Sequence, residues 1–317
     1  MLFRSFIFFV LCLCVKTQSP NWINNRLTIG IMTEELNSTV VPEAKSFMLA
    51  SYVKFIEAAG ARVVPIWIRQ PVSYYEDIMS KINGILFPGG GDILKSNGYG
   101  RTGQIIYDIA TRMNDNGDFF PIWGTCLGFE LLNYLAANDT LWMKSCAAED
   151  LPTNIEFVNG YKNSRMFQDL DMPLKNKMNS ENVTIHYHQW CLTPQNYSLS
   201  GLDKYFKVLA VNRDSRGMTF VSIIEANKYP YYAVSFHPEK VMFEWSITKT
   251  HQNIPHTADA IRTSQYFADF FINQARKSTH RFLSKKNEND LLIYNYNPVF
   301  TAKIGSNPNF QTYYFMQ

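Results

Sequence analysis

The sequence predicts an α/β fold in three layers: a mostly parallel sheet flanked by helices, with additional antiparallel strands. Two observations carry this. Through the first half of the chain, short apolar runs alternate with helical patterns, the rhythm of a parallel sheet covered on both faces. In the second half the runs shorten and alternate apolar with polar residues, as strands with one face toward water do. With 317 residues and 46% hydrophobic content the chain can bury a large core, and no internal repeat or low-complexity linker divides it, so one domain over 20–317 is expected.

The elements follow in order. Leu27 to Met32 reads as the first strand, Glu43 to Ala59 as a helix ended by Gly60, and Val63 to Ile68 as the second strand. A short helical stretch around Tyr75 to Ile82 precedes the run Gly84 to Phe87, and a helix over Gln104 to Asn114 precedes Phe119 to Trp123. A further helix is expected from about Leu127 to Ala137. Additional strands are read at Asn154 to Val158, Val183 to Tyr187, Phe206 to Val211, Thr219 to Glu225 and Tyr231 to Phe236. The pattern Ala258 to Lys277, apolar at Ile261, Phe267, Phe270 and Phe271, predicts the closing helix. Residues from about Ser284 onward are expected to lie across the surface.

Composition narrows the function. Lys and Arg total 30 against 27 Asp and Glu, with no basic run that could track a phosphate backbone, so nucleic acid is not an expected partner. The start combines Arg4 with an apolar run from Phe6 to Val15 and a small polar stretch, which reads as a signal peptide over 1–19 cleaved near Gln18. The run is about half the roughly 20 residues a spanning helix needs, so no membrane span is expected after its removal. Loss of Arg4 and Lys16 takes the net charge from +3 to +1. Four Asn-x-Ser/Thr sequons at Asn37, Asn138, Asn182 and Asn196 suit N-glycosylation on that route. Secretion, or delivery to a lysosome or vacuole-like compartment, is the expected destination. Of five cysteines, Cys12 and Cys14 fall in the leader, leaving Cys126, Cys146 and Cys191. An odd number in an oxidising compartment leaves a free thiol or an intermolecular bridge. Cys126 is the best candidate for the unpaired one, and whether Cys146 and Cys191 pair stays open.

The sharpest local signal is Gly124-Thr125-Cys126-Leu127-Gly128, between an apolar strand and a helix. A nucleophile on a tight strand-to-helix turn needs small neighbours. The helix start also turns N–H groups and the positive dipole end toward the sulfur, which favours thiolate. A single Cys is more often a small buried hydrophobe, but two further strand ends shift the balance. Phe87-Pro88-Gly89-Gly90-Gly91-Asp92 can turn backbone N–H groups toward an oxyanion, and Phe236-His237-Pro238-Glu239 can supply a base with its orienting acid. In an extended segment, His237 and Glu239 would point the same way.

The three segments together resemble the class I glutamine amidotransferase-like superfamily, and within it the γ-glutamyl hydrolase family. That resemblance also rests on Ala50 to Lys54, Gly60 to Pro65, Ile82 to Gly90, Trp123 to Glu130, Ser164 to Gln168, His237 to Lys240, the tail Leu292 to Tyr294 and Pro298. It implies Cys126 as nucleophile, His237 as base, Glu239 as its orienting acid, and an oxyanion site from the N–H groups of Leu127 and one of Gly89 or Gly90. The implied substrate is a folylpoly-γ-glutamate, cleaved through a thioester with no metal or organic cofactor; a homodimer is the open option for assembly. His188, in a His186-x-His188 pair, matches a family histidine of the substrate cleft; structural and metal roles compete with that reading, and no third ligand is spaced for zinc. Two positions depart from the family: Gln189, usually Lys, and Ser46, usually aromatic.

An α/β-hydrolase would carry its acid on a separate loop before the histidine, so the His-x-Glu spacing disfavours it. A glutaminase feeding ammonia to a synthetase would need a partner that a secreted chain lacks. A binding module that merely kept the fold would not need Cys126, His237 and Glu239 intact.

Overall fold

A computed structural model describes residues 24–36, 41–245, 251–302 and 310–316. The expected leader, with Cys12 and Cys14, and the sequon at Asn37 lie outside them.

The chain opens with β1 (Thr28–Met32), the short β2 (Glu34–Glu35) and β3 (Ser46–Leu49), then α1 (Ala50–Ala58), β4 (Arg62–Ile66), α2 (Val72–Met79) and β5 (Ile85–Phe87). It continues through α3 (Tyr99–Asp115), β6 (Ile122–Thr125), α4 (Leu127–Ala136), β7 (Lys144–Thr153), β8 (Glu156–Phe157), α5 (Met172–Ser180) and β9 (Thr184–Cys191). Then come α6 (Pro194–Leu199), β10 (Phe206–Arg213), β11 (Thr219–Ala226), β12 (Tyr231–Val234), α7 (Pro238–Phe243), α8 (Ala258–Ala275), α9 (Lys285–Leu291), β13 (Val299–Phe300) and β14 (Gln311–Phe315). Eight strands form the central sheet in the order β4-β1-β5-β6-β12-β11-β10-β8. The first five are mutually parallel and the last three are added antiparallel. This is the three-layer α/β architecture the sequence predicts.

Strand alternation divides the apolar residues between two cores. Ile29, Ile31, Val63, Leu86 and Trp123 face one layer with α1 and α8; Val64, Ile66, Ile85, Phe87 and Ile122 face the other with α2, α3 and α4. Trp123 anchors the first layer, its ring 6.4 Å from Phe55 of α1 and 5.8 Å from Phe271 of α8. Thr257 caps α8 by accepting from the Ala260 N–H.

Three sequence readings need correction. The expected helix from Glu43 begins only at Ala50, because Ser46–Leu49 is a strand paired antiparallel with Gln311–Phe315; a partner more than 260 residues away leaves no local periodicity to read. The tail therefore does not merely cross the surface. Ile293 and Phe315 are buried, and Phe315 packs 4.7 Å from the Trp67 ring. The long strand Lys144–Thr153 was not anticipated; it pairs with β9, and Cys146 bridges to Cys191 between the two. That bridge spans 45 residues, a closure worth about 4 kcal/mol in the chain-entropy picture.

Candidate active site

Because β5, β6 and β12 are neighbours in the parallel part of the sheet, their C-terminal ends open at one edge, where open α/β sheets place ligands. The glycine run follows β5, Cys126 follows β6 and His237 follows β12. A cavity of about 230 Å³ lies there, lined by Glu34, Phe47, Leu49, Gly89, Gly90, Gly91, Cys126, Tyr187, His237, Lys240 and His251.

Cys126 sits at φ 52°, ψ −106° between β6 and α4, a backbone conformation that costs a non-glycine residue about 1–3 kcal/mol. Its N–H donates to the Val234 carbonyl of β12 at 3.0 Å, which ties the turn to the strand that carries the histidine. Gly128 has to be glycine, since a Cβ there would sit 2.1 Å from the Phe87 carbonyl oxygen. Cys126 is the free cysteine among the described residues and is buried. A Cβ on Gly89 would lie 2.8 Å from both Cys126 Cβ and His237 Cε1, so nucleophile and base converge on this glycine.

His237 Nδ1 donates to Glu239 Oε1 at 2.7 Å, with Glu239 fully buried. This leaves Nε2 to exchange a proton with the thiol. The pair does not lie along an extended segment as the sequence reading supposed: His237 is the N-cap of α7, and Pro238 starts the helix, so Glu239 turns back onto the imidazole. Tyr52, given no role in the sequence reading, places its hydroxyl 3.5 Å from His237 Nδ1 and accepts the Gly89 N–H at 2.7 Å. The two candidate oxyanion glycines are therefore not equivalent.

Burial pushes the Cys126 thiol well above its ordinary range, and the Glu130 and Glu239 carboxylates add to that; a hydrogen bond from the Leu127 N–H opposes it, as does Lys240. The helix start thus acts in the expected direction but is outweighed, and the resting sulfur is a thiol. Burial also holds His237 below its ordinary value, against the raising influence of Glu239. The resting pair is a neutral thiol beside a neutral imidazole, so the proton has to move as the sulfur attacks.

From these directions the pH dependence follows. His237 stays neutral, and able to accept a proton, to a pH below its ordinary range. Glu239→Gln removes the charge that raises it, so the acid limb of kcat/KM should move to still lower pH while the plateau falls about 10²-fold, at the lower end of what positioned proton transfer contributes. A pH profile of both proteins checks this; an acid limb moving upward would place the orienting acid elsewhere.

His188 does not line the cavity. It is buried, Nε2 donates to the Ser235 carbonyl, and Nδ1 lies 3.7 Å from Glu130 Oε1. It braces the backbone two residues before His237 rather than facing the opening. His186 is also buried and bonds Thr153 Oγ1 at 3.1 Å through Nε2. Among the described residues no group of three His, Cys, Asp or Glu side chains is placed to hold a metal. Ser46 is buried outside the cavity wall and the neighbouring Phe47 supplies an aromatic surface there, while Gln189 is exposed with Glu149 3.5 Å away. Glu34, Tyr187, Lys240 and His251 also line the cavity, and the sequence reading gave none of them a role.

A buried cysteine on a strained strand-to-helix turn, beside a histidine held by a glutamate at the edge of an open parallel sheet, defines the site of a cysteine hydrolase. The peptidase C26 family model matches residues 28–239. The chain belongs to that family. It is 43% identical over 285 residues to rat γ-glutamyl hydrolase, covering 89% of this chain and 88% of the relative. It is 39% identical over 280 residues to the human enzyme of that name, covering 88% and 86%. Against Dictyostelium discoideum γ-glutamyl hydrolase B it is 36% identical over 300 residues, covering 94% and 86%. A solved glutamine amidotransferase from Thermotoga maritima superposes at TM-score 0.43 with 8% identity, covering 80% of this chain and 99% of that one, a likeness too remote to bear on the site.

Proposed function

We infer that this chain is a cysteine-type γ-glutamyl hydrolase whose substrates are folylpoly-γ-glutamates and related γ-glutamyl chains. The observation that carries the reading is the convergence of Cys126 and His237 on Gly89 at adjacent strand ends, in a chain 43% identical to a γ-glutamyl hydrolase over most of its length. As Cys126 Sγ attacks the γ-amide carbonyl, its proton passes to His237 Nε2. The oxyanion is held by N–H groups of Leu127 and the glycine loop. With the Gly89 N–H engaged by Tyr52, Gly90 is the glycine of that pair. His237 protonates the departing amine, a thioester remains, and water deprotonated by His237 releases the acyl group and restores the thiol. Glu239 stabilises the imidazolium formed in between. Release of glutamate from a γ-linked diglutamate conjugate, blocked by a thiol reagent, is the direct test.

Secretion, or delivery to an acidic vacuolar or lysosomal compartment, fits a base that burial holds below its ordinary value. No helix among the described residues is long and apolar enough to cross a membrane. Asn138 and Asn182 are exposed, whereas the Asn196 side-chain amide lies within α6 and donates to the Trp142 carbonyl at 2.7 Å. The expressed protein should start near residue 19 or 20 and lose mass on N-glycan removal. Peptide mapping should find glycan at Asn138 and Asn182 and little at Asn196. An unglycosylated product starting at Met1 would overturn the routing.

A further inference from the structure

Glu34 is a charged wall of the cavity that the chemistry above leaves unused. It follows β1 on the short strand Glu34–Glu35, is 1% exposed, and lines the same cavity as Cys126 and His237. Its Oε1 has no hydrogen-bond partner. Its other oxygen lies against the glycine loop, 1.9 Å from where a Cβ on Gly90 would sit. Burying a carboxyl with an unmet oxygen is costly, and its neighbour Glu35 shows the contrast: that side chain is used structurally, accepting the Tyr99 N–H at 2.9 Å and pairing with Arg69. Among the described residues Glu34 makes no such structural contact, and it lines the cavity a substrate would fill.

We propose that Glu34 is a specificity residue that holds the α-carboxylate of the glutamyl unit under attack, through a hydrogen bond donated from its own carboxyl. This rests on the γ-glutamyl hydrolase reading and names how the site selects its acyl group. A γ-linked unit presents one free α-carboxylate, two methylenes and the α-carbon away from the scissile carbonyl, so a pocket that positions both atoms fixes the linkage. The cavity offers a matched pair for it: the Lys240 ammonium and a neutral carboxylic acid, which donates where an ionised one would repel. The charged and titratable groups around Glu34 are Asp92 on the glycine loop, Glu239 and Lys240 on α7, Tyr52 on α1 and Tyr99 on α3, and Cys126, His237, Tyr187 and His251 line the same cavity. Burial is the largest influence and raises the Glu34 carboxyl; Asp92 and Glu239 raise it further, against Lys240. The donor is therefore present below that raised value and is lost as pH rises through it.

The test measures KM for a γ-linked diglutamate conjugate across pH, beside the analogue whose α-carboxylate on the attacked unit is a carboxamide. For the wild type, KM for the carboxylate substrate should rise as the pH rises and KM for the carboxamide should stay flat. Glu34→Gln keeps a permanent donor, so its KM should match the wild type in mild acid and lose the rise. Glu34→Ala should raise KM for the carboxylate roughly 10- to 100-fold, the range for a hydrogen bond to a charged group, with a smaller change in kcat and with discrimination against the carboxamide reduced to what Lys240 alone supplies. The proposal is overturned if both variants keep the wild-type KM profile, or if Glu34→Ala discriminates as the wild type does. Should Glu34→Ala fail to fold, Glu34→Gln and the two wild-type profiles still decide it. A wild-type protein that cleaves no γ-glutamyl substrate at all would instead refute the functional reading beneath it.

Discussion

Cys126→Ala is expected to abolish turnover, a loss of roughly 10⁴- to 10⁶-fold by comparison with nucleophile deletions in other hydrolases, while fold and secretion stay intact. Only the sulfur is removed, and the Cβ that packs against the glycine loop is kept, so little contact area changes. The alanine still has to adopt φ 52°, and it keeps the strain that the cysteine carries. Cys126→Gly should also be inactive yet at least as thermally stable as the alanine variant, because glycine adopts that conformation without steric cost. Loss of activity would then be separated from loss of fold within one pair of proteins. Cys146 and Cys191 are bridged, so a thiol reagent should label the mature wild type at Cys126 alone. Near-normal turnover by Cys126→Ala would remove the nucleophile assignment and the mechanism with it.

The strand-end logic was legible in the sequence because it is local. A short apolar run followed by Gly-x-Cys-x-Gly, by Pro-Gly-Gly-Gly or by His-Pro-Glu marks where a buried strand stops and a loop opens, and sheet adjacency then brings the three together. What escaped depends on contacts far apart in the chain. Glu34 and Glu35 look like ordinary surface acids until β2 is seen to pair with β3 and Glu35 to cap α3. Tyr52 reads as one of several aromatics on an apolar helix face; nothing local shows that its hydroxyl reaches between Gly89 and His237. The turn from His237 into α7 was signalled by Pro238, a residue favoured at the first helical position, and taking His-x-Glu as extended passed over that signal. Burial of the thiol was equally invisible, since it depends on how closely the glycine loop, α4 and the strand ends pack. A helix dipole could be inferred from the turn, but not the desolvation that outweighs it.

The last expectation concerns linkage. The protein should cleave a γ-glutamyl peptide and spare the same peptide joined through the α-carboxyl, by at least about 10³-fold. In a γ-linked chain the scissile carbonyl ends a two-methylene arm, and each unit carries a free α-carboxylate beside that arm. Cys126 lines a cavity of about 230 Å³, bounded by the glycine loop on one side and by Tyr187, Lys240 and Phe47 on others. An arm without branches can enter such a space, whereas an α-linked carbonyl is flanked at once by a side chain and the next residue. Forcing it in would displace the carbonyl from the sulfur, and misplacement of about 1 Å can cost roughly 10²-fold. The polar groups that meet the α-carboxylate would be left unpaired, a further penalty of about 1–3 kcal/mol for each buried group. The measurement compares p-aminobenzoyl conjugates of γ-linked and α-linked diglutamate in mildly acidic solution. Equal rates would leave the catalytic machinery standing and remove the γ-glutamyl specificity. Preferential hydrolysis of free glutamine over both conjugates would mean that the cavity is built for a single amino acid and does not admit a chain.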